Sequence, residues 1–344
     1  MSADQHLQRL GFLTIGLFDP QDPAAGHEST LEIIELGERL GFDSAWLRHR
    51  HLQFGISSPI AVMAAASQRT TRIELGTAVT PVGWENSLRL AEDFATVDIL
   101  SNGRVNPGLS VGTPMDYDTV QHVLYPNTAE IEDFGKARVE LFNRLIAGEP
   151  VRELSGKRGV VEEFSNRIES HSPGLRERLW YGAGSMGSAV WAGEQGMNLL
   201  TSSVIFPQED ETPDFAEVQA RQIRAFRAAA AKHAPSAPAR VSQGLVVIPT
   251  DAATTAQKAK YQAYVDERTP RTEKPQGPRK MLFARDLIGS SEEVAEQLHA
   301  HAGYRQVTEV AFALPFSFDH EDYVQILTDM AHRLGPLLGW HPSV

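Results

Sequence analysis

The chain has 344 residues, a formal net charge of −12 from 32 Lys and Arg against 44 Asp and Glu, and no cysteine. This charge balance, with no concentrated basic run, argues against a surface for nucleic acid or anionic membranes, and the lack of cysteine excludes disulfides, thiol nucleophiles and thiolate metal sites. Residues 1–10 lack a secretory pattern and no run of ~18 apolar residues occurs, so we expect a soluble, cytoplasmic protein.

Strand-like and helix-like segments alternate along the whole chain. The predicted strands cover residues 11–18, 44–48, 73–80, 105–111, 179–182, 198–203, 240–248 and 308–314. The predicted helices cover residues 29–40, 59–68, 88–100, about 129–147, 187–195, roughly 214–233, 254–267, 292–301 and 321–334. Ser290 and Glu293 have the spacing of a capping box for the helix over 292–301.

Eight strands with interleaved helices predict an α/β protein with a single (β/α)8 TIM barrel domain over residues 1–344. The alternative is a doubly wound open sheet, but Phe18, Asp19 and Pro20 stand where its glycine fingerprint would follow the first strand. Two segments are longer than ordinary connections: 148–178, after the fourth helix, and 269–286, after the seventh strand. We expect these to be insertions that either serve the site or form mobile surface loops.

The stretch over residues 76–112 is predicted to be one βαβ unit, in which the two strands are parallel. Ligands of such folds collect at the carboxyl ends of the strands. The expected ligand positions are therefore 77–81, beginning with Thr77, and 109–113, which include Ser110. Ser110 is not predicted to be a nucleophile, because the Gly-x-Ser-x-Gly turn is missing.

Small residues between a predicted strand and helix form a candidate phosphate site. Free backbone amides and two hydroxyls converge there at a helix N-terminus, which attracts anions. The alternative is that these residues only pack and cap the helix. They are Gly184, Ser185, Met186, Gly187 and Ser188.

The second candidate cluster, Arg48, His49, Arg50 and His51, follows the second strand. If the strand continues, the two histidines share one face and the two arginines the other. Histidine exchanges protons near neutral pH, and arginine binds oxyanions through two N–H groups. The alternative is a solvated rim of the barrel. No metal site is predicted, since the sequence places no third Asp, Glu or His beside these histidines.

Several segments together resemble the bacterial-luciferase-like flavin-dependent monooxygenase family, and the resemblance covers nearly the whole chain. The segments are LGERLGFDSAWLRHRH, QRTTRIELGTAV, RLAEDFATVDILSNGRVNPGLSVG, WAGEQGMNLL and IGSSEEVAEQLHAH followed by TEVAFALP. The resemblance implies a (β/α)8 barrel that binds FMN at its C-terminal mouth, commonly as a homodimer. It further implies a two-component monooxygenase, in which a separate NAD(P)H-dependent flavin reductase supplies reduced FMN and O2 gives a C4a-peroxyflavin.

The resemblance also implies roles for individual residues. Ala78 and Val79 match a non-prolyl cis pair beneath the isoalloxazine ring, and Ser110 matches the position of a reactive cysteine beside the flavin. Ser185 and Ser188 match phosphate-binding hydroxyls. Because apolar residues are expected around the pocket, we predict a small, partly hydrophobic substrate such as an aldehyde, a ketone or a sulfur compound.

Two positions depart from the family pattern. Val111 stands where luciferase has a phosphate-binding arginine, which leaves the phosphate to the amides over 184–188 or to another arginine. The family's Glu-His-His becomes His49, Arg50 and His51, so Arg50 replaces the catalytic histidine. We predict that these three residues are catalytic, with Arg50 or His51 stabilising the peroxide or orienting the substrate.

Three alternatives stay open at this point. A deazaflavin-dependent oxidoreductase of the same superfamily would move hydride and ignore O2. A non-catalytic flavin-binding protein would be consistent with Val111 and Arg50, and a flavin-free barrel enzyme would not bind FMN.

Overall fold

The structure is a computed structural model that describes residues 6–153, 156–158, 160–208, 213–233 and 239–342. The strands are β1 (Arg9–Thr14), β2 (Ser44–Leu47), β3 (Glu74–Thr77), β4 (Thr80–Pro81), β5 (Val105–Asn106), β6 (Gly108–Ser110), β7 (Gly156–Arg158), β8 (Glu162–Phe164), β9 (Trp180–Gly182), β10 (Asn198–Thr201), β11 (Val204–Ile205), β12 (Val241–Gln243), β13 (Val247–Pro249), β14 (Leu282–Phe283), β15 (Leu287–Gly289) and β16 (Glu309–Ala313). The helices are α1 (Pro23–Arg39), α2 (Pro59–Ser67), α3 (Ser87–Leu100), α4 (Tyr117–Leu124), α5 (Ala137–Ile146), α6 (Met186–Glu194), α7 (Phe215–His233), α8 (Thr255–Arg268), α9 (Ser291–Ala300), α10 (His320–Asp329) and α11 (Gly335–Leu337).

One parallel sheet forms the centre of the molecule, in the strand order β4-β6-β9-β10-β12-β16-β1-β2-β3-β5. Only Ala78 and Val79 separate β3 from β4, and only Pro107 separates β5 from β6. Because β3 pairs with β5 and β4 pairs with β6, the two ends of the sheet belong to the same two neighbouring stretches of chain. The sheet therefore closes into a barrel with eight strand positions, which confirms the predicted (β/α)8 fold.

The barrel seam, where residues 74–81 meet residues 105–110, depends on a glycine and a threonine. The hydroxyl of Thr77 donates to the carbonyl of Gly108 at 2.9 Å and accepts from its N–H at 3.0 Å. A Cβ atom on Gly108 would lie 1.9 Å from the carbonyl oxygen of Thr77, so only glycine fits there. The Thr77 side chain thus stabilises the barrel wall.

Charged side chains from the first residues of several strands meet at the N-terminal end of the barrel. Arg240 binds Glu74 at 3.1 Å and Glu309 at 2.8 Å, and Arg9 binds Glu74 at 2.7 Å. Burial raises the pKa of Glu309, whereas the attraction of Arg240 opposes that shift. This end of the barrel is filled by paired charges.

Two tryptophans occupy the middle of the barrel. Trp46 and Trp180 pack edge to face, with ring centroids 5.3 Å apart, and both are completely buried. Leu13 and Ala311 pack with them and reach the C-terminal end of the barrel. The tryptophan pair thus separates the charged N-terminal end from the C-terminal mouth.

The predicted helix over 129–147 is wrong in its first half. The chain forms a 3-10 turn at Ala129–Ile131 and an α-helix only from Ala137, while α4 was not predicted. The side chain of Asp133 accepts the N–H of Gly135 at 2.8 Å, and such a local bond competes with helical pairing. The capping box of Ser290 and Glu293 is confirmed at the start of α9.

Several predicted strands are shorter than expected or interrupted, including the third, which is divided at Ala78–Val79. The first ends at Thr14, because Gly16 adopts a φ of +58°. Pro107 interrupts the fourth, since proline has no N–H to donate. The seventh divides into β12 and β13, and β13 leaves the barrel sheet to pair with β15.

The two long segments lie at opposite ends of the barrel. Segment 148–178 carries the antiparallel pair β7 and β8, with residues 154–155 and 159 outside the described residues, and Arg178 at its end binds Asp98 at 2.6 Å. In segment 269–286, β14 pairs with β11, which fastens the segment at the C-terminal mouth. That both are insertions stays a prediction. No helix in the described ranges is long and apolar enough to cross a bilayer.

Candidate active site

A cavity of about 830 Å³ opens at the carboxyl ends of the barrel strands. Leu13, Ala311 and the Ala78–Val79 pair form its apolar floor, and the peptide bond between Ala78 and Val79 is cis. The walls come from the connections after β2, β4, β6 and β10 and from residues 268–283. This is the end of a TIM barrel at which active sites are built.

His49 and His51 are neighbours in the cavity wall. β2 ends at Leu47, before both histidines, so their proximity comes from the loop and not from strand alternation. Their ring centroids are 4.5 Å apart, and His51 stacks on Trp84 with centroids 4.2 Å apart and ring planes at 19°. The stacking holds the His51 ring in place beside His49.

Burial determines the charge of both histidines. It lowers the pKa of His49 to about 3; His51 lowers it further, while the backbone of Ser57 opposes the shift. Burial also lowers the pKa of His51. His49 is therefore neutral at pH 7.

Glu85 is a candidate functional residue that the sequence analysis missed. Its Oε1 lies 3.7 Å from Nε2 of His49. Burial raises the pKa of Glu85 to about 7, and the charge of Asp93 raises it further. Because His49 is neutral at that pH, the contact is not an ion pair, and Glu85 is the group that changes protonation near neutrality. The available signal was its position just after the third barrel strand, at the same edge as the histidines.

Glu85 is also the third possible metal ligand that the sequence did not place. His49, His51 and Glu85 offer three ligand atoms within 4.8 Å of one another. A tetrahedral zinc ion, with bonds of about 2.0–2.2 Å, holds its ligands roughly 3.4 Å apart. The three side chains would have to move together to bind an ion, so an acid–base role suits their spacing better. That the site uses no metal stays a prediction.

Four arginines line the cavity, and two of them share a carboxylate. Asp286 accepts a hydrogen bond from Arg268 at 3.0 Å and lies 4.0 Å from Arg271. The Asp286 side chain is 3% exposed, so this carboxylate is occupied within the wall. The four arginines are Arg48, Arg50, Arg268 and Arg271.

Arg48 and Arg50 have no such partner. The guanidinium of Arg48 lies 4.8 Å from the ring centroid of Phe316, and Nη1 of Arg50 lies 3.8 Å from the sulfur of Met115. Within the part of the chain that the structure describes, no carboxylate pairs with either one. Burial lowers the pKa of Arg48 to about 10, and the charge of Arg50 lowers it further. Two half-buried cations therefore face the cavity uncompensated.

The candidate phosphate site over 184–188 lies at the start of α6, outside the cavity lining. Ser185 caps the helix: its Oγ accepts the N–H of Ser188 at 3.4 Å and lies 3.1 Å from the hydroxyl of Ser188. The carbonyl of Gly184 accepts the N–H of Phe206 at 2.6 Å. A Cβ atom on Gly187 would meet nothing within 4 Å, so the first turn, which begins at Met186, is open.

The cavity brings together some of the candidate residues and not others. Ser110 ends β6 opposite Pro81, and Pro81 lines the cavity whereas Ser110 does not. Thr77 is likewise outside the lining, with its hydroxyl bound at the barrel seam. The candidates inside are His49, Arg50, His51, Ala78 and Val79.

Two curated proteins illustrate the similarity of this chain to known enzymes. The 4-hydroxyprotoasukamycin monooxygenase of Streptomyces nodosus subsp. asukaensis is 30% identical over 139 residues, which are 39% of this chain and 36% of that protein. The F420-dependent glucose-6-phosphate dehydrogenase of Amycolatopsis mediterranei (strain U-32) is 28% identical over 185 residues, 52% of this chain and 54% of that protein. The chain thus spans about a third to a half of the length of these relatives.

A solved structure matches nearly the whole fold. The oxygenating constituent of 3,6-diketocamphane monooxygenase from Pseudomonas putida, in complex with FMN, has a TM-score of 0.66 at 14% identity and covers 98% of this chain and 100% of its own. The family described as luciferase-like monooxygenase matches residues 9–308. The chain therefore belongs to the luciferase-like monooxygenase family.

Proposed function

We propose that the protein is an FMN-dependent, two-component monooxygenase that oxidises a small, partly hydrophobic organic substrate with O2. The observation that carries this proposal is the cavity, in which an apolar floor at Ala78–Val79 lies beside His49 and His51, with Glu85 behind the lining 3.7 Å from His49. Its volume of about 830 Å³ suits a flat tricyclic ring together with a small substrate.

The start of α6 fits the phosphate of FMN. Its first turn is open at Gly187, its hydroxyls come from Ser185 and Ser188, and its dipole favours an anion. Val111 supplies no charge, but Nζ of Lys136 lies 4.7 Å from the ring centroid of Trp191 on the same helix. Lys136 thus brings a positive charge to the side of α6.

The residues of the cavity, together with Glu85 behind His49, supply acid–base chemistry and orientation. Bound reduced FMN would supply the two electrons that activate O2. Glu85 holds or releases a proton at its carboxyl group near neutral pH, and neutral His49 faces it across 3.7 Å, a gap that a small side-chain shift closes. Arg50 orients the substrate through its guanidinium. The ring of His51 is held against Trp84, beside His49.

The test combines FMN binding with O2 consumption. We expect the protein to bind FMN, and Gly184→Val to weaken FMN binding more than Ser188→Ala, because a valine crowds the ring of Phe206, which already lies 3.3 Å from a Cβ atom at this position. With any NAD(P)H-dependent flavin reductase, O2 uptake should be coupled to oxidation of a member of an aldehyde, ketone and thioether panel. Reduced FMN-loaded protein that reacts with O2 like free FMN would contradict a monooxygenase and favour a non-catalytic flavin-binding protein.

A deazaflavin-dependent oxidoreductase is the second candidate function. The similarity to the F420-dependent dehydrogenase extends over 52% of this chain, more than the 39% matched by the first monooxygenase. Mass and absorbance of the cofactor that copurifies distinguish the two functions. Tighter binding of F420 than of FMN would replace the first proposal with this one.

A homodimer and a transient contact with a flavin reductase complete the proposal. Large apolar side chains are exposed on two neighbouring helices, which supports a partner on that face. They are Leu88, Ile99 and Leu100 on α3 and Leu141 on α5. Light scattering should give twice the mass of one chain, and Leu100→Glu should shift that mass toward the monomer.

A further inference from the structure

The unpaired arginines of the cavity wall point to the chemical class of the ligand. We propose that Arg48 and Arg50 bind an anionic group of the substrate, a carboxylate, sulfonate or phosphate, so that the substrate is an organic acid with an apolar body. The inference rests on the proposed function for the reaction, but the binding site is argued from the cavity alone.

The charges around the cavity do not balance. Of the four arginines that line it, Arg268 and Arg271 are held by the buried carboxylate of Asp286. Arg48 and Arg50 have no carboxylate partner in the described ranges, although Asp116 also lines the rim. Both residues line the same cavity and stand two positions apart in the loop after β2, so a ligand in the cavity meets both.

An oxyanion is the ligand that such a pair of arginines recognises. Each guanidinium presents N–H donors in a planar fork that matches carboxylate, sulfonate and phosphate oxygens. The chain as a whole carries a charge of −12, so an acidic ligand is repelled at long range and must be met by local positive charge. Half-buried, unpaired arginines in an acidic protein are therefore hard to explain as a solvated rim.

The apolar part of the cavity indicates that the end of the ligand away from its acid group is apolar. Arg48 lies against the ring of Phe316, and the floor beneath consists of Leu13, Ala311 and the Ala78–Val79 pair. An acid head group at the arginines would direct an apolar body toward the floor, where the resemblance places the flavin ring. The carbon to be oxidised would then lie several bonds away from the acid group.

The phosphate of the flavin is the other possible anion, and the geometry favours the substrate. Residues 184–188, the proposed phosphate site, lie outside the cavity lining, whereas both unpaired arginines lie within it. FMN carries one phosphate, so binding at the start of α6 leaves the arginines free. The acid group at the arginines is therefore that of the substrate, which is the second ligand of the cavity.

The test uses two probes of nearly equal shape, hexanoate and hexanamide, with the protein alone and after loading with FMN. Calorimetry should show that hexanoate binds about tenfold or more tightly than hexanamide and that added salt weakens only hexanoate. Arg48→Gln and Arg50→Gln should each weaken hexanoate binding by about tenfold to a hundredfold. Arg48→Lys, which keeps the charge but not the fork, should lose less, and Arg224→Gln, an exposed residue on α7, should change nothing.

Three outcomes would overturn the inference. Equal affinity for hexanoate and hexanamide would show that the arginines bind no anion, and this result needs no variant. Hexanoate binding that survives both glutamine variants would place the anion elsewhere. If the glutamine variants weaken FMN as much as hexanoate, the arginines serve the cofactor. A preference for hexanoate in a protein that does not bind FMN would refute the proposed function and leave the anion site intact.

Discussion

The two ends of the barrel differ in whether their charged side chains have partners. At the N-terminal end, Arg240 contacts two carboxylates, and the guanidinium of Arg104 donates to the backbone carbonyls of residues 67, 70, 73 and 101. At the C-terminal end, Arg48 and Arg50 lack carboxylate partners in the described part of the chain, and Glu85 has a pKa near 7. The first end uses its polar groups for stability, and the second leaves them available to ligands.

Removing a charge at the N-terminal end should have the largest effect on stability. Arg240→Met leaves the carboxylate of Glu309, 5% exposed, with only its longer contact to Arg9 at 3.9 Å, and we expect it to lower the free energy of unfolding by about 3 kcal/mol. The pKa of Glu309 is already raised by burial, so the loss should be smaller at pH 5 than at pH 8. Urea unfolding of the variant and the wild type at pH 5 and pH 8 measures this loss in the free energy of unfolding.

The double variant Arg240→Met with Glu309→Gln is the control, because it also removes the stranded charge. It should recover a large part of the lost stability, and hexanoate and FMN binding should stay unchanged in both variants. A loss in hexanoate affinity would mean that the two ends of the barrel are not independent.

Removing the carboxyl group of Glu85 at the C-terminal end should raise the free energy of unfolding above neutral pH, whereas Arg240→Met lowers it. The pKa of Glu85 rises from 4.5 to about 7 on folding, so stability is present at low pH and falls as pH rises from 4.5 through 7. At pH 8 the ionised, partly buried carboxylate costs the wild type roughly 2–3 kcal/mol. Glu85→Gln should therefore gain stability over the wild type between pH 5 and pH 8, measured by urea unfolding.

Glu194→Gln, at an exposed carboxylate at the end of α6, provides the comparison. Its unfolding free energy should follow that of the wild type at every pH. Parallel profiles for Glu85→Gln and the wild type would show that Glu85 titrates like an exposed carboxylate, and would remove it from the proposed acid–base pair.

A smaller gain is expected from one unpaired arginine. Arg48→Met removes a half-buried cation that has no carboxylate partner, and we expect it to raise the free energy of unfolding by about 1 kcal/mol while abolishing the preference for hexanoate. Thermal unfolding measures the first effect and calorimetry the second. A loss of stability would show instead that Arg48 acts mainly through its contact with Phe316.

The smallest expected effect is that of metal ions. Dialysis against EDTA, or a modest excess of Zn²⁺, should leave the Tm and the O2 uptake unchanged, because the ligand atoms of His49, His51 and Glu85 extend to 4.8 Å apart. A Zn²⁺-dependent rise in Tm that Glu85→Gln removes would identify these residues as a metal site after all.

The alternation of strands and helices could be predicted from the sequence, since hydrophobic periodicity is local. Both histidines of the site could also be predicted, because they follow one strand directly. Glu85 could not, since it lies far along the chain from His49 and its pKa depends on burial. The pairing of Arg268 with Asp286 could not be predicted either, because the two residues are 18 positions apart, across a segment predicted only as a loop. Without that pairing, the arginines that have a carboxylate partner cannot be told from those that have none.

The antiparallel pair of β11 and β14 connects the two parts of the site. Phe206 bonds to Gly184 at the start of α6, while Val204, two residues earlier, pairs with Phe283, whose ring lies 4.7 Å from the guanidinium of Arg271. The pair of β11 and β14 therefore links the start of α6, the proposed phosphate site, to the cavity wall at Arg271. Because linkage is reciprocal, each ligand should change the affinity of the other by the same factor. We therefore expect any change in acid affinity on FMN loading to be matched by an equal change in FMN affinity on acid binding.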